Sequence, residues 1–141
     1  MNTNNKESMA SLTADIIVFR KNRAEILLIQ RGHEPFAGLW AFPGGRMDKN
    51  EKLINTAYRE LLEETNISEI ELSFIDMADT PNRDSRGRTI SFIYYGDIHN
   101  ENNIKNGDDA INTQWFKISE LPIMAFDHNK ILERVIKKIT L

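Results

Sequence analysis

Cysteine is absent from this chain of 141 residues. Its absence excludes disulfide bonds, thiolate catalysis and zinc sites built on cysteine. No apolar run approaches the ~20 residues that a membrane-spanning helix needs. Residues 1–9 are polar and lack the apolar core of a signal peptide. We therefore expect a cytoplasmic protein that has no membrane partner.

An excess of positive charge is also lacking, because the formal net charge is −3. This charge argues against nucleic acid as a general partner. The hydrophobic fraction of 40% is typical of a globular protein. The length predicts one domain, and we place it at residues 11–141, after a flexible tail at residues 1–10.

Several signatures of catalysis are missing from the sequence. It contains no GxSxG elbow, no P-loop and no GxGxxG turn, so serine hydrolases, P-loop NTPases and Rossmann enzymes lack support. The three histidines, His33, His99 and His128, do not have the spacing of a metal site.

Hydrophobic patterning predicts strands and helices in mixed order. Strands are expected at 12–20 and 25–31, which form a hairpin, and at 70–78, 89–98 and 111–116. Residues 32–45 are rich in glycine and are expected to be mostly loop. Helices are expected at about 51–65 and after Asp127, which is a plausible N-cap. This order predicts helices packed on a mixed sheet.

Three glutamates, Glu60, Glu63 and Glu64, lie three and four positions apart on the first predicted helix. Like charges at this spacing repel one another, and the later half of a helix disfavours anions. A cation such as Mg²⁺ would relieve the repulsion. At the angular spacing of a helix, the apolar residues between Leu53 and Leu62 form one stripe, and Glu64 falls at the edge of that stripe. The alternative is a solvated acidic face that is paired with lysines elsewhere.

The residues around these glutamates resemble the Nudix box, GX5EX7REUXEEXGU, in which U is a bulky aliphatic residue. One position departs from the pattern, because Asn66 stands where the box has its last glycine. Asn adopts the left-handed conformation at some cost, so we expect weakened local stability rather than lost activity. The matching residues are Gly45, Glu51, Arg59, Glu60, Leu61, Glu63, Glu64 and Ile67.

The resemblance implies an α/β/α sandwich with a central mixed β-sheet. It also implies hydrolysis of a nucleoside diphosphate derivative with Mg²⁺, or with Mn²⁺ in its place. The implied metal ligands are Glu60, Glu64, the carbonyl of Gly44 and, as a further ligand, Glu63. The implied catalytic set is Glu63 and Glu64, supported by Arg59 and Glu51.

The segment TPNRDSRGR at residues 80–88, with AFDH at residues 125–128, resembles the ADP-ribose pyrophosphatases and related Nudix-type regulators. Arginines bind phosphates well, and the alternative is an exposed turn with incidental arginines. An acidic residue on a late loop is the expected general base, with Asp108 and Asp109 as candidates. They are equally typical of a turn beside Gly107. The candidate substrate-binding residues are Arg31, Arg46, Arg83, Arg86 and Arg88.

Aromatic side chains offer a surface for an adenine base. Phe36, Trp40 and Tyr94 are candidates for stacking, although each residue type is more often part of a core. The expected partner is a small nucleotide-type substrate, and a homodimer is compatible with the sequence.

Three functions compete. The preferred one is Mg²⁺-dependent hydrolysis of ADP-ribose to AMP and ribose 5-phosphate. The second is hydrolysis of oxidised nucleoside triphosphates, as in MutT-like enzymes. The third is a non-catalytic ADP-ribose sensor, as in the related transcriptional regulators. Those regulators carry a DNA-binding extension after the Nudix domain. This chain ends at Leu141 with its box glutamates intact, so we expect catalysis.

Overall fold

A computed structural model describes residues 7–101, 104 and 110–140 of the chain. Neither helix in this part of the chain combines the length and apolar character needed to cross a membrane. A 3₁₀ turn, Ile118–Glu120, precedes the second helix. The elements, in chain order, are β1 (Ser11–Arg20), β2 (Glu25–Arg31), β3 (Trp40–Ala41), β4 (Gly44–Arg46), α1 (Leu53–Thr65), β5 (Ser73–Ala78), β6 (Thr89–Asp97), β7 (Ala110–Lys117) and α2 (His128–Ile139).

The sheet is mixed and centres on β1. β1 pairs in parallel with β6 over nine residue pairs, from Ser11 opposite Thr89 to Phe19 opposite Asp97. The other strand pairs are antiparallel. β1 and β2 form the predicted hairpin, while the opening residues of β1 pair instead with β4. Since β4 leads into α1, this pairing brings the start of the Nudix-like segment against the centre of the sheet.

One helix covers each face of the sheet. On β1, Ile17 and Phe19 point into a core that contains α2, whereas Ile16 and Val18 point into a core that contains α1. Alternate residues of a strand face opposite sides of the sheet, so one strand supplies both cores. The predicted α/β/α sandwich with a central mixed sheet is confirmed.

Element boundaries differ from the predictions at several points. α1 begins at Leu53 rather than at Glu51. The Glu51 carboxylate accepts hydrogen bonds from the Asp48 N–H at 3.0 Å and the Thr56 hydroxyl at 2.7 Å, so it stabilises the helix from outside. β5 begins at Ser73 rather than at residue 70. Asp127 directly precedes α2 as predicted, but its side chain makes no capping hydrogen bond.

The buried face of α1 is rotated relative to the prediction. Leu62, expected in the apolar stripe, is 46% exposed, whereas Thr56 and Thr65 are fully buried and Glu64 is 8% exposed. β4 packs against this side of the helix, where the Gly44 N–H donates to Glu64. Glu64 therefore lies within the buried face, not at its edge.

Asn66 ends α1 in the predicted left-handed conformation, with φ of 63°. Its N–H donates to the Leu62 carbonyl at 2.9 Å. The asparagine thus takes the backbone role that a glycine usually plays at a helix end. Residues 1–6 of the predicted tail lie outside the described residues, and residues 7–10 are exposed.

Candidate active site

A cavity of about 380 Å³ opens where β1, β4 and α1 meet the loops after β2 and before α2. This volume lies within the usual range for small-molecule sites. Its wall combines three kinds of side chain. Its carboxylates include Asp15, Glu60 and Glu64; its arginines are Arg31, Arg46, Arg83 and Arg86; its rings include Phe42, Phe126 and His128.

Glu60 and Glu64 both line the wall, close enough for each carboxyl group to influence the pKa of the other. Burial raises the pKa of Glu64 to about 9, and the charge of Glu60 adds to this shift. Burial also raises the pKa of Glu60, although Arg59 opposes the change. Two carboxylates this close, one of them buried, disfavour each other's ionised form. A bound cation would favour the ionised form of both.

Asp15 is a third carboxylate of the wall, and the sequence argument missed it. It is 8% exposed in the middle of β1. Burial raises its pKa to about 6, while a hydrogen bond from Ser91 and the charge of Arg83 work in the other direction. The available signal was a single acidic residue inside an otherwise apolar strand, because an aspartate is rarely buried unless a partner compensates its charge.

These carboxylates suit a divalent cation by their chemistry, since oxygen donors are what Mg²⁺ and Mn²⁺ bind. Glu60 and Glu64, whose pKa values are both raised, are the residues that a cation would contact here. Across the described residues, no three His, Asp or Glu side chains are already arranged as a closed set of ligands. The fit therefore rests on the Glu60–Glu64 pair and the adjacent backbone of Gly44.

The turn at Gly44 and Gly45 needs glycine because other chain segments approach it closely. A Cβ atom at Gly45 would lie 2.3 Å from the Glu60 carboxyl carbon. At Gly44 it would lie 2.3 Å from the Ala14 carbonyl oxygen. Backbone can thus come directly against the two glutamates, which is the physical use of glycine here.

Arg59 lies behind the cavity wall and links Glu51, Glu60 and the backbone of β4. It binds both oxygens of Glu51, through Nε at 2.8 Å and an Nη at 3.0 Å. It also donates to Glu60 at 2.9 Å and to the Arg46 carbonyl at 3.0 Å. The hydrogen bonds from Arg59 lower the pKa of Glu51 to about 2. Arg59 therefore fixes the orientation of Glu60 relative to β4.

Glu63 does not join the other two glutamates. Its side chain is 57% exposed and comes no nearer to Arg59 than 3.4 Å. It is not among the residues that line the cavity. Of the three glutamates on which the sequence argument depended, two meet in the wall and the third lies on the solvent side of the helix.

Arg83 lines the cavity, but its guanidinium is already bound. It pairs with Asp127 through two hydrogen bonds of 3.0 and 2.7 Å and donates to the Ser91 hydroxyl at 2.8 Å. Its side chain is 4% exposed. These contacts tie the loop before β6 to the start of α2 and explain why Asp127 forms no helix cap.

The other candidate arginines occupy different places. Arg86 lines the cavity and pairs with Asp84 at 2.8 Å. Arg31 donates from Nε to the Pro35 carbonyl at 2.8 Å and has no ion pair among the described residues. Burial and the charge of Arg86 lower the pKa of Arg31. Arg46 lines the outer wall and is exposed, whereas Arg88 lies outside the cavity lining.

Phe126 is an aromatic residue of the cavity lining that the stacking prediction did not include. Its ring lies 4.9 Å from the Arg31 guanidinium and 5.7 Å from that of Arg86. Phe36 contacts its edge at 4.9 Å without lining the cavity. The other two candidates belong to the cores: Trp40 packs against Phe116 at 4.8 Å, and Tyr94 is 7% exposed.

His128, the first residue of α2, is 4% exposed and lines the cavity. Its Nδ1 accepts a hydrogen bond from the Phe42 N–H at 3.1 Å, and its ring stacks on that of Phe42 at 4.5 Å. Burial lowers its pKa to about 3, and Arg83 and Arg31 contribute to this shift while Asp127 opposes it. The imidazole is therefore neutral. The candidate bases Asp108 and Asp109 lie outside the described residues.

Comparison with known proteins agrees with this geometry. A model of the NUDIX domain matches residues 9–139. The chain belongs to the Nudix family of hydrolases. It is 36% identical over 123 residues to an ADP-ribose pyrophosphatase of Methanocaldococcus jannaschii, covering 87% of this chain and 71% of that protein.

Two further relatives of this Nudix chain are longer proteins. One is the ADPR responsive transcriptional repressor NtrR of Acinetobacter baylyi, 28% identical, with 91% of this chain and 54% of that protein covered. The other is a bifunctional NMN adenylyltransferase/ADP ribose pyrophosphatase of Francisella tularensis, crystallised with AMP and a Mn ion. The two chains superpose with a TM-score of 0.80 at 29% identity, and the match covers 94% of this chain and 43% of that chain. The chain thus spans about half the length of these two relatives.

Proposed function

We propose that this Nudix chain is a Mg²⁺-dependent pyrophosphatase that hydrolyses ADP-ribose to AMP and ribose 5-phosphate, within one catalytic domain at residues 11–141. The observation that carries the proposal is the Glu60–Glu64 pair, in which Glu64 is buried and bonded to Gly44, in the wall of a cavity that arginines also line. Such a wall suits a ligand with a diphosphate and a bound cation. The archaeal relative supports ADP-ribose as the substrate.

Glu60, Glu64 and the Gly44 carbonyl would hold the cation, and Glu63 would add a ligand from the solvent side. The bound ion would neutralise phosphate oxygens and lower the pKa of a bound water. Arg59, itself held by Glu51, keeps Glu60 in position. Asp108 or Asp109 would supply the general base. The residues that would contact the substrate are Arg31, Arg46 and Arg86. Arg83 instead holds the loop before β6 against the start of α2 through its ion pair with Asp127.

A panel of substrates tests the proposal. Purified protein is assayed on ADP-ribose, NADH, diadenosine polyphosphates and 8-oxo-dGTP, each with Mg²⁺, with Mn²⁺ and with a chelator. We expect ADP-ribose to show the highest kcat/KM, with AMP and ribose 5-phosphate as products, and the chelator to abolish turnover. A higher kcat/KM for 8-oxo-dGTP would replace this function with that of a MutT-like enzyme.

A non-catalytic ADP-ribose sensor is the second candidate, and the similarity to the Acinetobacter repressor favours it. Calorimetry separates the two functions. Tight binding of ADP-ribose without turnover under any metal condition would establish the sensor, whereas release of AMP excludes a purely non-catalytic role.

A further inference from the structure

We propose that His128 is a substrate-binding residue, which donates a hydrogen bond from its neutral Nε2–H, together with Arg31, to a phosphoryl oxygen of the ligand. This inference deepens the proposed function and rests on it only in requiring a ligand that carries phosphate.

The tautomer of His128 follows from one contact. The Phe42 N–H donates to Nδ1 at 3.1 Å, so Nδ1 carries no proton. A neutral imidazole with an unprotonated Nδ1 carries its hydrogen on Nε2. Stacking on Phe42, with 10° between the ring planes, fixes the orientation of the ring.

The Nε2–H has no acceptor among the described residues, although its residue is 4% exposed. The structure leaves one buried side-chain polar atom in this part of the chain without a partner, the Thr113 hydroxyl. The Nε2 atom is therefore not sealed in the core, and His128 reaches the surface at the cavity it lines. A donor in such a place is available to a ligand.

The chemistry of the acceptor follows from the neighbouring groups. Arg31 and Arg83 are near enough to influence His128, and Asp127 already neutralises Arg83. Arg31 remains without an ion pair in the described chain and lines the same cavity. The His128 Nε2–H lacks an acceptor and Arg31 lacks an ion pair in the described chain, so together they suit a group that only accepts hydrogen bonds. A phosphoryl oxygen is such a group, whereas a ribose hydroxyl both donates and accepts.

The first experiment follows the His128 side chain by NMR. Protein labelled with ¹⁵N-histidine is titrated with AMP in the presence of Mg²⁺, and with adenosine as the phosphate-free control. We expect Nδ1 to resonate as an unprotonated nitrogen in the free protein, and AMP but not adenosine to shift the Nε2–H signal. A protonated Nδ1 would overturn the proposal, as would an equal response to adenosine or no response to AMP.

Two amide substitutions separate binding from folding. The asparagine side-chain oxygen lies three bonds from Cα, as Nδ1 does. His128→Asn therefore keeps an acceptor for the Phe42 N–H but has no donor at the position of Nε2. His128→Gln places an N–H four bonds from Cα, near the position of Nε2, and so keeps the donor while losing the acceptor. Since a hydrogen bond to a charged group is substantial, we expect His128→Asn to weaken AMP binding on the order of tenfold.

His128→Gln should bind AMP more tightly than His128→Asn although it unfolds at lower denaturant. Equal losses of binding in the two folded variants would show a structural role and overturn the proposal, as would wild-type binding by His128→Asn. ADP-ribose turnover is measured separately. A chain that binds AMP through His128 but does not hydrolyse ADP-ribose would refute the proposed function and leave this inference standing.

Discussion

At the scale of single residues, Glu64 combines two features that rarely occur together. It is almost fully buried, yet its carboxylate accepts a hydrogen bond from Gly44 and contacts a second carboxylate, Glu60. Burying such a group costs stability unless a partner compensates it. We interpret the cost as the consequence of a site made for a cation.

Replacing Glu64 with glutamine should remove activity without unfolding the protein. Glutamine has nearly the same shape and lacks the charge, so packing is kept while the proposed metal ligand is lost. We expect kcat/KM for ADP-ribose to fall by about 100-fold or more, because even outer partners of metal ligands cost 10–100-fold when lost. Circular dichroism checks the fold.

The matched control is Glu133→Gln, which alters an exposed carboxylate on α2. It should retain wild-type kinetics. If Glu64→Gln also retained a near wild-type rate, Glu64 would be removed from the proposed metal site.

At the scale of elements, the end of α1 offers a direct test of the box position where Asn66 stands. Its φ is 63°, a conformation that glycine adopts without strain. We expect Asn66→Gly to raise the free energy of unfolding by a few tenths of a kcal/mol, and Asn66→Ala to lower it by about 1 kcal/mol. Urea unfolding of the three proteins measures both changes. A more stable Asn66→Ala variant would contradict the assigned backbone strain.

The ion pair between Arg83 and Asp127 joins two elements that are distant in sequence. A double-mutant cycle with Arg83→Gln and Asp127→Asn should give a coupling energy of about 2 kcal/mol, because the Arg83 side chain is buried and the pair is bidentate. The exposed pair Glu133–Lys137, whose closest N–O distance is 4.0 Å, is the control and should couple by roughly 0.3 kcal/mol. Equal couplings would refute a structural role for Arg83.

At the scale of the whole molecule, His128 should make stability fall in mild acid. Its folded pKa is about 3 against an ordinary value of 6.5, so the unfolded chain binds the proton more tightly. This contribution is complete above pH 6.5 and is lost as the pH falls towards 3. Between pH 6.5 and pH 5 the loss reaches at most about 2 kcal/mol.

Other buried groups titrate in the opposite direction, since Asp15 and Glu64 bind protons more tightly in the folded state. The difference between wild type and His128→Asn isolates the histidine. Unfolding free energies measured with a chelator from pH 7.5 to pH 5 should show a smaller acid loss in the variant. Parallel pH profiles would show that His128 is not buried as a neutral ring.

The sequence predicted what depends on neighbouring residues along the chain. The spacing of Glu60 and Glu64 on one helix, the β1–β2 hairpin and the left-handed Asn66 are of this kind. It did not reveal the third carboxylate, Asp15, because that role depends on Gly44 and Ser91, which other strands bring beside it. The exposed Leu62 was mispredicted because helical periodicity does not show where β4 will pack.

The substrate side of the cavity was harder still to predict. The loop with Arg83 was expected to bind phosphate, yet Asp127, 44 positions later, occupies its guanidinium. Similarly, His128 looked like the start of a helix, and its hydrogen bond to Phe42 spans 86 positions. Both roles arise from contacts that no local pattern encodes.

The parallel pairing of β1 with β6 determines the order in which this protein can fold during its synthesis at the ribosome. Thr13 and Ser91, which hydrogen-bond across the two strands, are 78 positions apart. In the nascent chain, β1 and the residues of α1 are therefore synthesised long before β6, the strand that pairs with β1. Since contacts so remote in sequence form slowly, the cavity closes around Asp15 only when synthesis has passed β6. A chain interrupted before Thr89 would carry the whole Nudix box and still lack the part of the cavity wall that β6 and α2 supply.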